Sequence, residues 1–156
     1  MTPANIVGMA TVLGLDVIAI TDHNSCKNCK AAMTMGEAYG VLVIPGMELC
    51  TREEVHVVCL FDSIEGAMEM DHYVELHMMK RKNNSTIFGN QILYDERDCM
   101  VGEEENLLIL ASDIGIGQVD DLVKSFHGIM IPAHIDRTSN GLLSNLGFIP
   151  EDATFH

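Results

Sequence analysis

Four polar residues are placed where chemistry could be done, because each sits at or near the end of an apolar run. Val17-Ile18-Ala19-Ile20 ends in Thr21-Asp22-His23-Asn24. Glu48 follows Pro45-Gly46-Met47, and His56 lies at the head of Val55–Phe61. Ile129-Met130-Ile131 leads into Pro132-Ala133-His134-Ile135-Asp136-Arg137. Short apolar, β-branched runs read as buried strands, and in α/β proteins the chemistry collects where strands end. Imidazole nitrogen and carboxylate oxygen together suit zinc, manganese or iron. His23, Glu48, His56 and His134 could therefore ligate a divalent metal, and a carboxylate such as Glu48 can bridge two ions. Asp22 is placed to hold a ligand's second ring nitrogen. Arg137 is placed to meet an anionic substrate oxygen, since its fork matches phosphate.

The elements that must position these groups follow from local signals. Thr2-Pro3 opens a helix, Ile6, Met9, Ala10 and Leu13 form its face, and Gly14 stops it. The strand at Val17–Thr21 comes next. Ser25 or Asn28 caps a second helix running to Tyr39, with Ala31, Met35 and Ala38 inward and Gly40 at its end. Val41–Ile44, apolar throughout, reads as a strand covered on both faces. Pro45-Gly46 is expected to break it before an extended pattern resumes at Met47. With a tight connection at Thr51-Arg52-Glu53, a hairpin about Arg52 places Glu48 opposite His56, their Cβ atoms roughly 5 Å apart on one face. Slipping the register by one residue would undo this.

Asp62 and Glu65 suggest a capping box for a long helix from Ser63 to about Arg81, with Ile64, Ala67, Met70, Val74 and Met78 inward. His72 falls on the opposite, solvated side, and His77 flanks the stripe in a structural role. Residues 83–106 read as an irregular insert containing a small hairpin. Val119, Leu122, Val123 and Phe126 mark a further helix ended by Gly128, and Ser139 starts a last short one. The fold class is α/β, a layer or barrel, within a single domain over residues 1–156.

Composition narrows the functions. Nine basic residues face 23 acidic ones, for a formal charge of −14. That disfavours non-specific binding to nucleic acid or an anionic membrane. Five cysteines, an odd number with no secretory leader before them, argue against a disulfide framework and for a cytoplasmic setting. No apolar run approaches bilayer length.

Thr21-Asp22-His23-Asn24, Pro45-Gly46-Met47-Glu48, Glu54–Leu60 and Ile131-Pro132-Ala133-His134 resemble, in order and spacing, internal motifs of the PHP (polymerase and histidinol phosphatase) family. The segment Ile87–Gln91 resembles a bacterial subgroup of stand-alone PHP phosphoesterases. The resemblance implies part of an irregular (β/α)7-like barrel with a metal cluster at the strand ends. It implies hydrolysis of phosphate esters by a metal-activated hydroxide, with His23, Glu48, His56 and His134 as ligands, Glu48 bridging, and more than one divalent ion in the complete protein. A small phosphorylated substrate or nucleotide is the expected partner. Asp22 would support a ligand from behind, and Arg137 would contact substrate phosphate. Family members also begin with a strand carrying His-x-His and carry a late Asp-x-His. Neither pattern occurs here, so Met1 is expected to be internal to a longer gene product, and this chain alone is expected to be weakly active or inactive.

Two rivals deserve comparison. His23, Cys26 and Cys29 form His-x-x-Cys-x-x-Cys at a helix entrance, where thiols can do redox chemistry or bind zinc. A non-catalytic binding domain with a decayed cluster would also lack the outer motifs.

Overall fold

The computed structural model describes residues 1–148 of the 156. The chain runs through α1 (Pro3–Val12), β1 (Val17–His23), α2 (Cys29–Tyr39), β2 (Leu42–Cys50), β3 (His56–Phe61) and α3 (Ile64–His77). An insert follows, made of α4 (Ser85–Phe88), β4 (Ile92–Tyr94) and β5 (Met100–Glu103). Then come α5 (Ile116–Ser125), β6 (Gly128–Pro132) and α6 (Leu142–Leu146).

The main sheet has the order β1-β2-β3-β6. β1 and β2 are parallel, while β3 is antiparallel to both β2 and β6. The carboxyl ends of β1, β2 and β6 therefore share one edge with the beginning of β3. This α/β arrangement resembles part of a barrel, and no closed barrel forms among the described residues. β4 and β5 pair separately as the expected small hairpin.

The two faces of the sheet differ. Val43, Met47 and Leu49 of β2, Val57, Cys59 and Phe61 of β3 and Met130 of β6 are buried on one face, where α2, α3 and α5 pack. Side chains of this kind contribute about 1.5–3 kcal/mol each when fully buried. The other face carries Val17, Leu42, Ile129 and Ile131, and Leu42 is 62% exposed. The expected two-sided cover of Val41–Ile44 thus does not occur. A continuous apolar run reports hydrophobicity on both faces, but not that both are covered.

Several local expectations need correction. Pro45-Gly46 does not break β2, which runs through it. Pro45 falls one residue before the antiparallel ladder with β3 begins at Gly46, so its missing N–H costs no bond on that side. Gly46 is required there, because a Cβ would lie 2.5 Å from the Cys59 carbonyl oxygen. The β2–β3 connection is longer than expected. Thr51 N–H donates to the Val55 carbonyl at 3.0 Å across a loop with Glu54 at φ 59°. The register is consequently shifted by two residues, pairing Glu48 with Val58 and Cys50 with His56. A shift of two preserves the face, so Glu48 and His56 still project to the same side.

Among the helices, Thr2 caps α1 as expected, its hydroxyl accepting from Asn5 N–H. The buried residues of α1 are Pro3, Val7 and Ala10, while Met9 and Leu13 are exposed. In α2 the buried set is Cys29, Ala31, Ala32 and Gly36, and Ala38 is exposed. α3 is capped by Ser63, whose hydroxyl accepts from Gly66 N–H, not by Asp62. It ends at His77, and Met78 is already extended, bridging to Ser112. His77 has the expected structural place, with Nδ1 2.6 Å from Asp113 Oδ1 and its ring stacked on Tyr73.

Candidate metal centre

The shared sheet edge brings four of the expected groups together. His23 ends β1 and is the register partner of Glu48 on β2. His56 begins β3, and His134 follows β6 by two residues. Strand alternation then fixes direction: His23, Glu48 and His56 project from the open face. His134 is delivered by a backbone at φ 30°, a left-handed conformation that is strained for this residue. The adjoining Ala133 N–H donates to the His56 carbonyl at 3.0 Å and ties the two segments.

Glu48 is the hub. Its Oε2 lies 3.4 Å from His23 Nδ1, and its Oε1 lies 3.4 Å from His56 Nδ1 and 3.5 Å from His134 Nε2. The His23 and His56 ring centroids are 5.1 Å apart, and those of His56 and His134 are 5.3 Å apart. Ligand atoms of His23, Glu48 and His56 all lie within 4.8 Å of one another. Two donors each about 2.1 Å from one tetrahedral ion sit roughly 3.4 Å apart, so the spacing suits a shared cation.

The donor chemistry agrees. His23 Nδ1 and His134 Nδ1 are buried without a hydrogen-bond partner, an arrangement that is costly unless something else satisfies them. Burial pushes the His56 imidazole below its usual pKa, and His23 and His134 push it the same way against the Glu48 carboxylate. The neutral ring thus favoured is the form that binds metal. The residues present fit a divalent metal site.

The other two expected residues stand apart from the hub. Asp22 pairs in register with Met47, on the helix-covered side of β1, and its exposed carboxylate lies 3.5 Å from Asn28 Nδ2. Asp22 and His23 together line a cavity of about 380 Å³ between α1, α2 and the insert, with Ile6, Phe88, Asn90 and Tyr94 among its walls. Arg137 is exposed on the turn after His134, its N–H bonded to the His134 carbonyl at 2.9 Å.

The His-x-x-Cys-x-x-Cys pattern does not assemble as one group. His23 belongs to the open face, whereas Cys26 and Cys29 are fully buried at the entrance of α2. Both thiols donate to the Gly46 carbonyl, at 3.3 and 3.4 Å. The hydrogen bond with Cys29, followed by burial, pushes the Cys26 thiol well above its usual range. Burial takes Cys59 to about 12. Cys26 and Cys59 thus hold their protons, whereas redox chemistry and zinc binding need a thiolate.

Two polar residues near the centre had no role assigned from sequence. Asn24, buried at φ 49°, follows His23 and bonds in three directions. Asp71 lies in the apolar stripe of α3, four residues from Ala67 and three from Val74. A carboxylate at that spacing was the available signal. It accepts from Ser25 Oγ at 3.0 Å and Cys26 N–H at 2.7 Å, so it holds the loop behind His23.

No family model matches the chain. An uncharacterized protein of Methanocaldococcus jannaschii is 31% identical over 74 residues, which cover 47% of this chain and 43% of that one. The chain thus spans less than half the length of that relative. Three solved structures are similar in fold. One is a Bifidobacterium adolescentis protein described as a candidate metal-dependent phosphoesterase, with TM-score 0.61 and 20% identity over 88% of this chain and 63% of that one. Another is Endonuclease Q bound to a 27-mer duplex with an abasic lesion, with TM-score 0.62 and 14% identity over 96% and 35%. The third is a Chromobacterium violaceum amidohydrolase with bound sulfate and no metal, with TM-score 0.59 and 13% identity over 88% and 63%. At these identities the likeness is one of fold. The chain therefore resembles part of the fold of those proteins, and at its sheet edge carries a candidate metal-binding trio, His23, Glu48 and His56.

Proposed function

We propose that this chain is part of a metal-dependent hydrolase of the PHP type that cleaves phosphate esters. The observation that carries the reading is the convergence of three imidazoles on the Glu48 carboxylate, with two buried ring nitrogens that make no hydrogen bond. The fold likeness to the Bifidobacterium adolescentis protein supports it, as do the four sequence motifs.

His23, Glu48, His56 and His134 would hold the cation. The split of Glu48, with Oε2 toward His23 and Oε1 toward His56 and His134, supports a carboxylate shared between two ions. Divalent cations bound there would acidify a water and offset charge on the phosphoryl oxygens. The chain's own residues do the rest. Arg137 would receive substrate phosphate, and Asp22 would orient what enters the cavity that it lines with His23. Of the four ligands only His23 lines that cavity, whose volume is of the order that a small molecule fills beside the metal centre. A charge of −14 weighs against strong nucleic-acid binding.

The test has two stages. Equilibrium dialysis against zinc or manganese, followed by metal analysis, is expected to show stoichiometric binding to the chain. Metal-dependent cleavage of p-nitrophenyl phosphate is then expected, at whatever rate the chain supports. Absence of stoichiometric metal would overturn the reading. Binding without any cleavage would favour the non-catalytic domain instead.

A further inference from the structure

Asn24 occupies an unusual junction. Its backbone N–H donates to the Glu48 carbonyl at 3.0 Å. Its side-chain Oδ1 accepts from Cys50 N–H at 2.8 Å, and Cys50 is the cross-strand partner of His56. Its Nδ2 donates to the Leu108 and Leu110 carbonyls at 2.7 and 2.9 Å. Asn24 is 3% exposed, so these bonds are shielded from solvent. The residue before it is His23. One residue, through its backbone and its side-chain amide, therefore meets the ends of β1 and β2, the start of β3 through Cys50, and the segment returning from the insert.

We propose that Asn24 is a positioning residue: its amide locks the strand ends bearing His23, Glu48 and His56 to the Leu108–Leu110 segment, and so sets the affinity and geometry with which the trio holds a divalent cation. This rests on the metal-centre reading above and adds to it a residue that touches neither ion nor substrate. The left-handed backbone at φ 49° explains why asparagine stands here. Asparagine tolerates that conformation, and its amide can both donate and accept.

Gln91 provides a control. Its Oε1 accepts from Leu108 N–H at 2.9 Å and its Nε2 donates to the Glu104 and Asn106 carbonyls. It braces the same returning segment with no bond to β1, β2 or β3. Asn24→Gly keeps the backbone conformation and removes the amide. Asn24→Asp is nearly isosteric, keeps the acceptor for Cys50 and loses the two donors, and it serves if the glycine variant fails to fold.

The probe is cobalt(II), titrated into the chain and followed by its visible ligand-field spectrum, with folding checked by circular dichroism. Asn24→Gly is expected to lose about 10–100-fold in cobalt affinity, the range seen when a residue supporting a metal ligand is removed. Its spectrum at saturation should be weaker and shifted from that of the wild type. Asn24→Asp should move the same way. Gln91→Ala should lower the melting temperature while keeping the wild-type spectrum. Wild-type affinity and spectrum in an Asn24 variant would overturn the positioning role, as would an equal spectral change in Gln91→Ala. A wild-type chain that takes up no cobalt would overturn the metal-centre reading itself, so the two failures are told apart.

Discussion

On one face of the sheet, His23, Glu48, His56 and His134 gather at the edge; on the other, a few residues away, Cys26, Cys29 and Cys59 are buried in the core. Both groups consist of side chains that bind zinc elsewhere. They differ in what their donor atoms already do. The buried Nδ1 atoms of His23 and His134 make no hydrogen bond, whereas the thiols of Cys26 and Cys29 both donate to one backbone carbonyl, that of Gly46. Burial raises the thiol pKa and so holds Cys59 in its non-ligating form, while it lowers the His56 pKa and so holds that ring in its ligating form. The same loss of water thus disarms an acid that must ionise to bind metal and prepares a base that must stay neutral. Residue type alone does not mark a metal site; free valence in the right protonation state does.

The largest expected break in this contrast comes from Glu48→Gln. The amide keeps the shape but loses the charge that all three imidazoles face, and metal affinity should fall by more than about 100-fold, the upper end of what a supporting residue alone is worth. Isothermal titration with zinc measures it. Retained affinity would mean that the carboxylate is not the hub.

A smaller effect is expected from the paired change Cys26→Ser and Cys29→Ser. Hydroxyls can still donate to Gly46, so stability should fall by about 1–3 kcal/mol through burial of more polar groups, as read by urea unfolding. Bound metal per chain should stay unchanged. Lost metal would place the thiols in the site and dissolve the contrast.

The smallest effect concerns Asp71. Burial raises its pKa above the usual 3.8, partly opposed by the bonds from Cys26 and Ser25. The folded chain then holds that proton more tightly than the unfolded chain. The carboxyl's contribution to stability is therefore most favourable at low pH and is lost as pH rises through the usual and then the folded value. Asp71→Asn keeps an oxygen for Cys26 N–H without the buried charge. Its urea midpoint relative to wild type should rise with pH across that window and level off above it. A difference independent of pH would show that Asp71 does not titrate there.

The placement of the candidate site residues was more legible in sequence than that of their supports. His23 and Glu48 stand at the ends of apolar runs, and the two-residue period of a strand made the hairpin argument robust. The register of β2 and β3 was off by two, yet Glu48 and His56 still share a face. Helix faces were less legible. Met9 and Leu13 match the period of α1 as well as Val7 does, but burial depends on where α2 lies, which no local pattern encodes. Asn24 was visible only as part of a motif, because its bonds reach across 84 and 86 positions to Leu108 and Leu110. Long-range hydrogen bonds leave no periodic trace.

The open face of the sheet has a practical consequence. Val17, Leu42, Ile129 and Ile131 form greasy ground that water wets poorly, bordered by two strands, β1 and β6, each with a single neighbour among the described residues. Surfaces of that kind dry themselves by meeting another of the same kind. A concentrated solution of this chain will tend to stick to itself. Titrations of its imidazole-lined edge therefore belong at high dilution, where each molecule answers alone.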